Sequence, residues 1–120
     1  MKKIKRIKYT PLSGELGTVL DLLQIKSLLS KGEPGCNYYE ISKGCVLDNC
    51  EIEVMTSWDS EETYEKWLFN KSNKMVTSKI EALCLEIVSE SLEEENPHFT
   101  EEFIRELQFQ YSDLIPEDII

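Results

Sequence analysis

The chain has 120 residues, 41% of them hydrophobic and 30% charged, with a formal net charge of -10. That is the size and composition of one globular domain able to bury its own core, and no apolar run approaches the roughly 18 residues a membrane-spanning helix needs. The acidic balance disfavours nucleic acid as a partner, because phosphate backbones repel it.

The charge is unevenly placed. Residues 1–50 hold eight Lys/Arg against five Asp/Glu, a balance of +3, and residues 51–120 hold five against eighteen, a balance of -13. The basic cluster Lys2, Lys3, Lys5, Arg6 and Lys8 can touch an anion locally, and most of the acid reads as a solvated face that includes the acidic part 93–120. Pro11, Ser13, Gly14 and Glu15 follow that cluster where a signal peptide needs an unbroken apolar stretch, so the expected location is cytoplasmic.

In chain order, Lys2 to Tyr9 is short and partly β-branched, a first strand ended by Thr10-Pro11. Leu16, Val19, Leu20, Leu23, Ile25, Leu28 and Leu29 then recur at three- and four-residue steps, which predicts a helix stopped at Lys31-Gly32. Asn37 to Lys43 reads as a second strand with Tyr39 and Ile41 on one face and Tyr38 and Glu40 on the other. After a turn over Gly44 to Asn49, Glu51 to Trp58 alternates clearly. Ile52, Val54, Thr56 and Trp58 lie on one side, so the two runs are expected to pair as an antiparallel hairpin.

Asp59 and Glu62 suggest an N-cap and a capping box, opening a helix with Tyr64, Trp67 and Leu68 on one face and an interruption near Asn70 to Asn73. Val76, Ile80, Leu83, Cys84, Ile87 and Val88 extend the helical spacing to about Leu92, before the acidic Glu93 to Glu95 segment and Pro97 end it. A short helical turn at Thr100 to Phe103 and a last strand over 106–112 complete the pattern, with a C-terminal helix through 99–112 as the alternative. The whole, residues 1–120, is expected to form one ferredoxin-like α+β domain. Its order is βαββαβ, with a four-stranded antiparallel sheet, helices on one face, and the first and last strands adjacent.

Cysteines stand at 36, 45, 50 and 84, and the one histidine is His98. Cys45 and Cys50 have no second ligand pair downstream, so no zinc or other metal site is expected. They flank the hairpin turn and can face each other; in a reducing compartment two free thiols are the default.

The run Pro34-Gly35-Cys36-x-x-Tyr39-Glu40-Ile41, followed by Trp58-x-Ser60-Glu61-Glu62-x-Tyr64, resembles the antibiotic biosynthesis monooxygenase-like family of dimeric α/β-barrel proteins. The resemblance covers residues 33 to about 69. It implies a homodimer joined sheet to sheet, with a pocket between helices and sheet for an aromatic or hydrophobic small molecule. It also implies oxygenation of quinol-like or anthrone-like compounds without metal, flavin or other cofactor. Tyr39, Trp58, Tyr64 and Trp67 are the candidate ligand-binding residues; none is assigned a catalytic role. Trp and Tyr suit such a pocket because their N–H and O–H fix a substrate oxygen while the rings pack on its body, although aromatic core packing explains the same residues.

The haem-degrading branch of the superfamily needs a histidine about ten residues after the helical tryptophan, where this chain has Thr77, so no haem site is implied. Trp67 also stands where many relatives carry a histidine. The alternative functional class is a non-catalytic acidic interaction protein, of inhibitor or immunity type, whose acidic part docks on a basic protein partner.

Overall fold

A computed structural model describes residues 2–47 and 49–93, apart from the side chains of Val46 and Glu93. The elements are β1 (Lys3–Pro11), α1 (Leu16–Ser30), β2 (Cys36–Val46), β3 (Asn49–Trp58), α2 (Glu61–Phe69), α3 (Lys71–Ala82) and β4 (Cys84–Glu93). The four strands form one antiparallel sheet in the order β2-β3-β1-β4. This is the expected ferredoxin-like arrangement, with the second helical segment divided in two.

Register sets which side chains enter the core. Ile7 lies opposite Val54, Tyr9 opposite Ile52, and Ile41 opposite Val54 from the other side, so one face of three strands carries apolar groups in rows. Tyr9, Ile52 and Val54 pack there with Val19 and Leu23 of α1 and Ile80 of α3, and each is at most 3% exposed. The alternation expected over β3 is fulfilled: Ile52, Val54, Thr56 and Trp58 are all buried.

The fourth strand lies elsewhere than the helical spacing suggested. The helix ends at Ala82, and Cys84–Glu93 turns back along β1 as the outer strand among the described residues, Tyr9 facing Ile87 and Lys5 facing Ser91. Cys84, Ile87 and Val88 fit a helical period by position, but pairing to β1 supplies a full ladder of backbone hydrogen bonds and prevails over the pattern. The readings over 99–112, strand or helix, lie outside the described residues, as do His98 and most of the acidic part. The adjacency of a basic first strand and an acidic last one is visible in part. Arg6 donates to Glu90 across the β1–β4 pair, and that contact holds the Glu90 carboxyl below its usual range and the Arg6 guanidinium above its own.

Two corrections concern the hairpin. Its strands continue to Val46 and resume at Asn49, so the connection is tighter than a turn over 44–49. Cys45 and Cys50 face each other in register and are joined by a disulfide, overturning the default of two free thiols. Direct cross-strand opposition, with Cα atoms 4.1 Å apart, brings the two sulfurs within bonding reach.

Candidate ligand site at the tryptophan end of the sheet

The resemblance segment has a local mechanical logic. Gly35 has φ +88°, a conformation that strains residues with a Cβ, and a Cβ there would come within 2.7 Å of Thr63 Cγ2 on α2. Pro34-Gly35 therefore lets the start of β2 pass against the first turn of α2, and the Gly35 carbonyl accepts from the Asp59 N–H at 2.8 Å. The cap of α2 is Ser60 rather than Asp59. Ser60 Oγ accepts from the Thr63 N–H at 3.2 Å, and Thr63 Oγ1 accepts from the Ser60 N–H at 3.1 Å. The box uses Thr63 where the sequence suggested Glu62.

This capped entry carries Tyr64 and Trp67 over the end of β3. Trp58 meets Tyr64 edge-on with ring centroids 5.6 Å apart, and it stacks on Trp67 at 5.8 Å with an interplanar angle of 29°. Trp58 and Trp67 are buried, at 0% and 3% exposure. The structure thus brings three of the four candidate residues together. Tyr39 lies opposite Thr56 and packs on the aliphatic cluster instead. Burial pushes the phenols of Tyr39, Tyr9 and Tyr64 upward, so at neutral pH each is an O–H donor and not a phenolate base.

The polar groups around these rings are placed one by one. The Trp58 indole donates to Thr56 Oγ1 at 2.9 Å. Asn73 Nδ2 donates to the Trp67 carbonyl at 3.0 Å, tying the α2–α3 corner, while Asn73 Oδ1 is buried without a partner. Lys5 is 5% exposed and its Nζ sits 4.6 Å from the Tyr64 ring centroid. It donates to Ser91 Oγ at 2.6 Å and to both carboxylate oxygens of Glu61, at 3.1 and 3.0 Å. Glu61 itself is half exposed.

Lys5, Thr56 and Asn73 are the site residues that reading the sequence missed. Lys5 was masked by its basic neighbours, yet Lys5, Ile7 and Tyr9 share strand parity, and that spacing places its stem on the core face. Cys36 is a partly buried thiol: Sγ contacts the Tyr38 carbonyl at 3.6 Å, and burial pushes its pKa up.

Two concavities lie away from the tryptophans. One, of about 570 Å³, is lined by Thr10, Ser42, Lys43, Asn49, Cys50 and Glu51 among others. The second, of about 370 Å³, adjoins Leu12, Gly14 and Leu85 and shares Thr10, Asn49 and Cys50 with the first. Among the described residues, no group of three or more His, Cys, Asp or Glu is placed to hold a metal ion, and no helix is long and apolar enough to cross a membrane.

The fold is shared with several solved structures, some of them named as antibiotic biosynthesis monooxygenases. A candidate antibiotic biosynthesis monooxygenase from Nitrosomonas europaea superimposes with TM-score 0.73 at 7% identity, covering 80% of this chain and 92% of that one. Rv0793 from Mycobacterium tuberculosis gives 0.70 at 13% identity, with 77% and 93% covered. SnoaB, a cofactor-independent oxygenase from Streptomyces nogalater solved as a point mutant, gives 0.67 at 10% identity, with 78% and 93% covered. No sequence-family description matches the chain. No curated protein matches it either.

Proposed function

We propose that the protein binds an aromatic, hydroxylated small molecule between α2 and the sheet and oxygenates it without a metal or flavin. The observation that carries this reading is the buried ammonium of Lys5 against Tyr64, beside the Trp58–Trp67 stack. A cation among aromatic rings suits a phenolate or enolate, since it stabilises an oxyanion where little water competes. Glu61 holds Lys5 in the free protein and, half exposed on the first turn of α2, is the partner an incoming anion would displace. The unpaired Asn73 Oδ1 offers an acceptor to a ligand O–H.

With an anthrone-like substrate the reaction balances without an external reductant. A ring CH2 loses a proton to give a carbanion conjugated with the ring carbonyl. That carbon bonds to O2, the resulting peroxide regains the proton, and its O–O bond breaks as the second C–H proton leaves and joins the departing hydroxide. The products are a carbonyl and water. A second copy of the chain is proposed to cover the open sheet face, where Arg6, Lys8, Glu40, Glu53, Met55 and Glu90 mix both charge signs.

The test is titration with anthrone and a polyhydroxylated anthraquinone, following tryptophan fluorescence and dissolved oxygen. Saturable quenching, weakened at least several-fold in Lys5→Met and Trp58→Phe, is expected, together with oxygen uptake on anthrone. Absence of quenching by either compound would sink the reading.

A second reading is favoured by the interior itself. Trp58 and Trp67 stack directly on one another, and the two concavities described above are lined by other residues. In that reading the fold is a non-catalytic acidic interaction module that docks on a basic protein, consistent with the net charge of -10. Its binding to a basic protein partner should fall steeply with added salt; binding indifferent to salt argues against it.

A further inference from the structure

We propose that Cys45–Cys50 is a reversible thiol-exchange site, taking low-molecular-weight thiols and their disulfides, and that its state sets the shape of the hairpin tip. The inference is independent of the tryptophan site. It begins from the register: Cys45 faces Cys50, and Val46 faces Asn49 one step nearer the tip. The covalent tie therefore lies immediately beneath the connection. Among the described residues β2 is an edge strand, and β3 is the strand that holds the tip.

Three further observations point the same way. Cys45 is exposed and Cys50 half exposed, which gives a small thiolate access to the bond; exposed disulfides are the labile ones. Leu47, just beyond the bond, is 95% exposed with φ +57°, a left-handed conformation that a leucine adopts at a cost and with no burial to offset it. Cys50 and Asn49 line both concavities, so loosening the tip alters the walls of each. The other two cysteines are unsuited to this chemistry. Cys36 and Cys84 are partly buried thiols whose pKa values are raised by desolvation.

The exchange balances with thiols alone. A small thiolate attacks the Sγ of Cys45, the more exposed of the two residues, and the Cys45–Cys50 bond breaks with Cys50 leaving as a thiolate that takes up a proton. A second small thiolate then attacks the mixed disulfide and frees Cys45, which is protonated in turn. The protein gains two electrons and two protons, and two small thiols become one small disulfide. Oxidation is the reverse. The closed loop is short, so the cross-link constrains the unfolded chain little, and reduction should loosen the tip while leaving the sheet folded.

The experiment uses the full chain in buffers of reduced and oxidised glutathione. Acid quenching, alkylation and peptide mass spectrometry assign the thiols, and hydrogen exchange reports the backbone. The expected result is interconversion of two and four alkylated cysteines as the glutathione ratio changes. Amide exchange at residues 44–51 should rise roughly tenfold or more on reduction, with β1 and α1 unaltered. Cys50→Ser with oxidised glutathione should retain one glutathione on Cys45. The proposal is overturned if the pair stays bonded in excess reduced glutathione or never bonds in excess oxidised glutathione. Exchange at the tip that is insensitive to reduction, or no adduct on Cys45, also overturns it.

Discussion

The interior has two ends built on different physics. Toward the middle of the sheet, Val19, Leu23, Ile52, Val54 and Ile80 fill the space between α1, α3 and the strands with hydrocarbon. At the Trp58 end the same sheet face carries Lys5, Thr56 and the Trp58 indole, and α2 brings a carboxylate, a phenol and the Trp67 indole. The aliphatic end gains from dense packing and has nothing to exchange. The aromatic end holds charged and hydrogen-bonded groups whose present partners are protein atoms, Glu61 and Ser91 for Lys5, and these are partners a ligand can replace. The ligand site we propose therefore sits where the core is polar, while buried side chains at both ends contribute to stability.

The largest effect that would separate the two ends comes from truncating one residue in each. Leu23→Ala and Trp58→Ala should each lower unfolding free energy by about 2–5 kcal/mol in urea titration, since both side chains are fully buried. The difference lies in ligand response. Leu23→Ala should keep the quenching expected for an aromatic ligand, and Trp58→Ala should lose it. Equal loss in both variants would collapse the distinction.

Lys26 is the exception within the α1–α3 packing, and it sharpens the contrast. It is 5% exposed, and its Nζ reaches Thr77 Oγ1 at 2.9 Å, with no carboxylate of the described residues in contact. Desolvation lowers its pKa from 10.5 to about 8, with Glu81 opposing weakly from a distance. Between about 8 and 10.5 the unfolded chain binds more protons than the folded one, so wild-type stability should rise with pH across that window. Lys26→Met should add about 1–3 kcal/mol at neutral pH, less than the full burial penalty because Thr77 loses its donor, and should flatten that rise. A slope that survives the substitution would assign the effect elsewhere.

Much of the frame was legible from residue order. The alternation of Ile52, Val54, Thr56 and Trp58 placed β3 and its buried face correctly, and the spacing from Leu16 to Leu29 placed α1. What failed was local punctuation. No Gly or Pro separates α3 from β4; the change from helix to strand occurs at Leu83, where the readable signal was the β-branched pair Ile87-Val88 followed by alternating Ser89, Glu90 and Ser91. At the site, the aromatic trio could be read from the motif, but the buried lysine could not be told from its solvated neighbours by composition. Strand parity with Ile7 and Tyr9 was the usable clue. The disulfide depended on the register of the hairpin, which the loosely drawn turn left open.

Gly35 tests how the aromatic end is assembled. Gly35→Ala forces a Cβ against Thr63 and strains a positive φ, so about 1–3 kcal/mol of stability should be lost in urea titration. Because Thr63 belongs to the cap of α2, the same variant should loosen Tyr64 and Trp67, seen as a red-shifted tryptophan emission in the folded protein. Leu23→Ala should leave that emission unshifted.

The smallest effect isolates the cap itself. Ser60 accepts the Thr63 N–H and its own N–H is met by Thr63 Oγ1, so Ser60→Ala removes one half of a reciprocal pair and should cost about 1 kcal/mol. Glu61 and Glu62 in the first turn remain favourable to the helix N-terminus, which keeps the loss small. Yet the consequence for Lys5 should exceed that figure in proportion, because Glu61, the first residue of α2, is the carboxylate that holds it. Ser60→Asp restores an acceptor at the cap and should recover stability and the Lys5–Glu61 contact together, read from the urea midpoint and the lysine Nζ chemical shift. If stability returns and the lysine signal does not, Glu61 is positioned by something other than the capped first turn, and the aromatic end is less unified than its contacts imply.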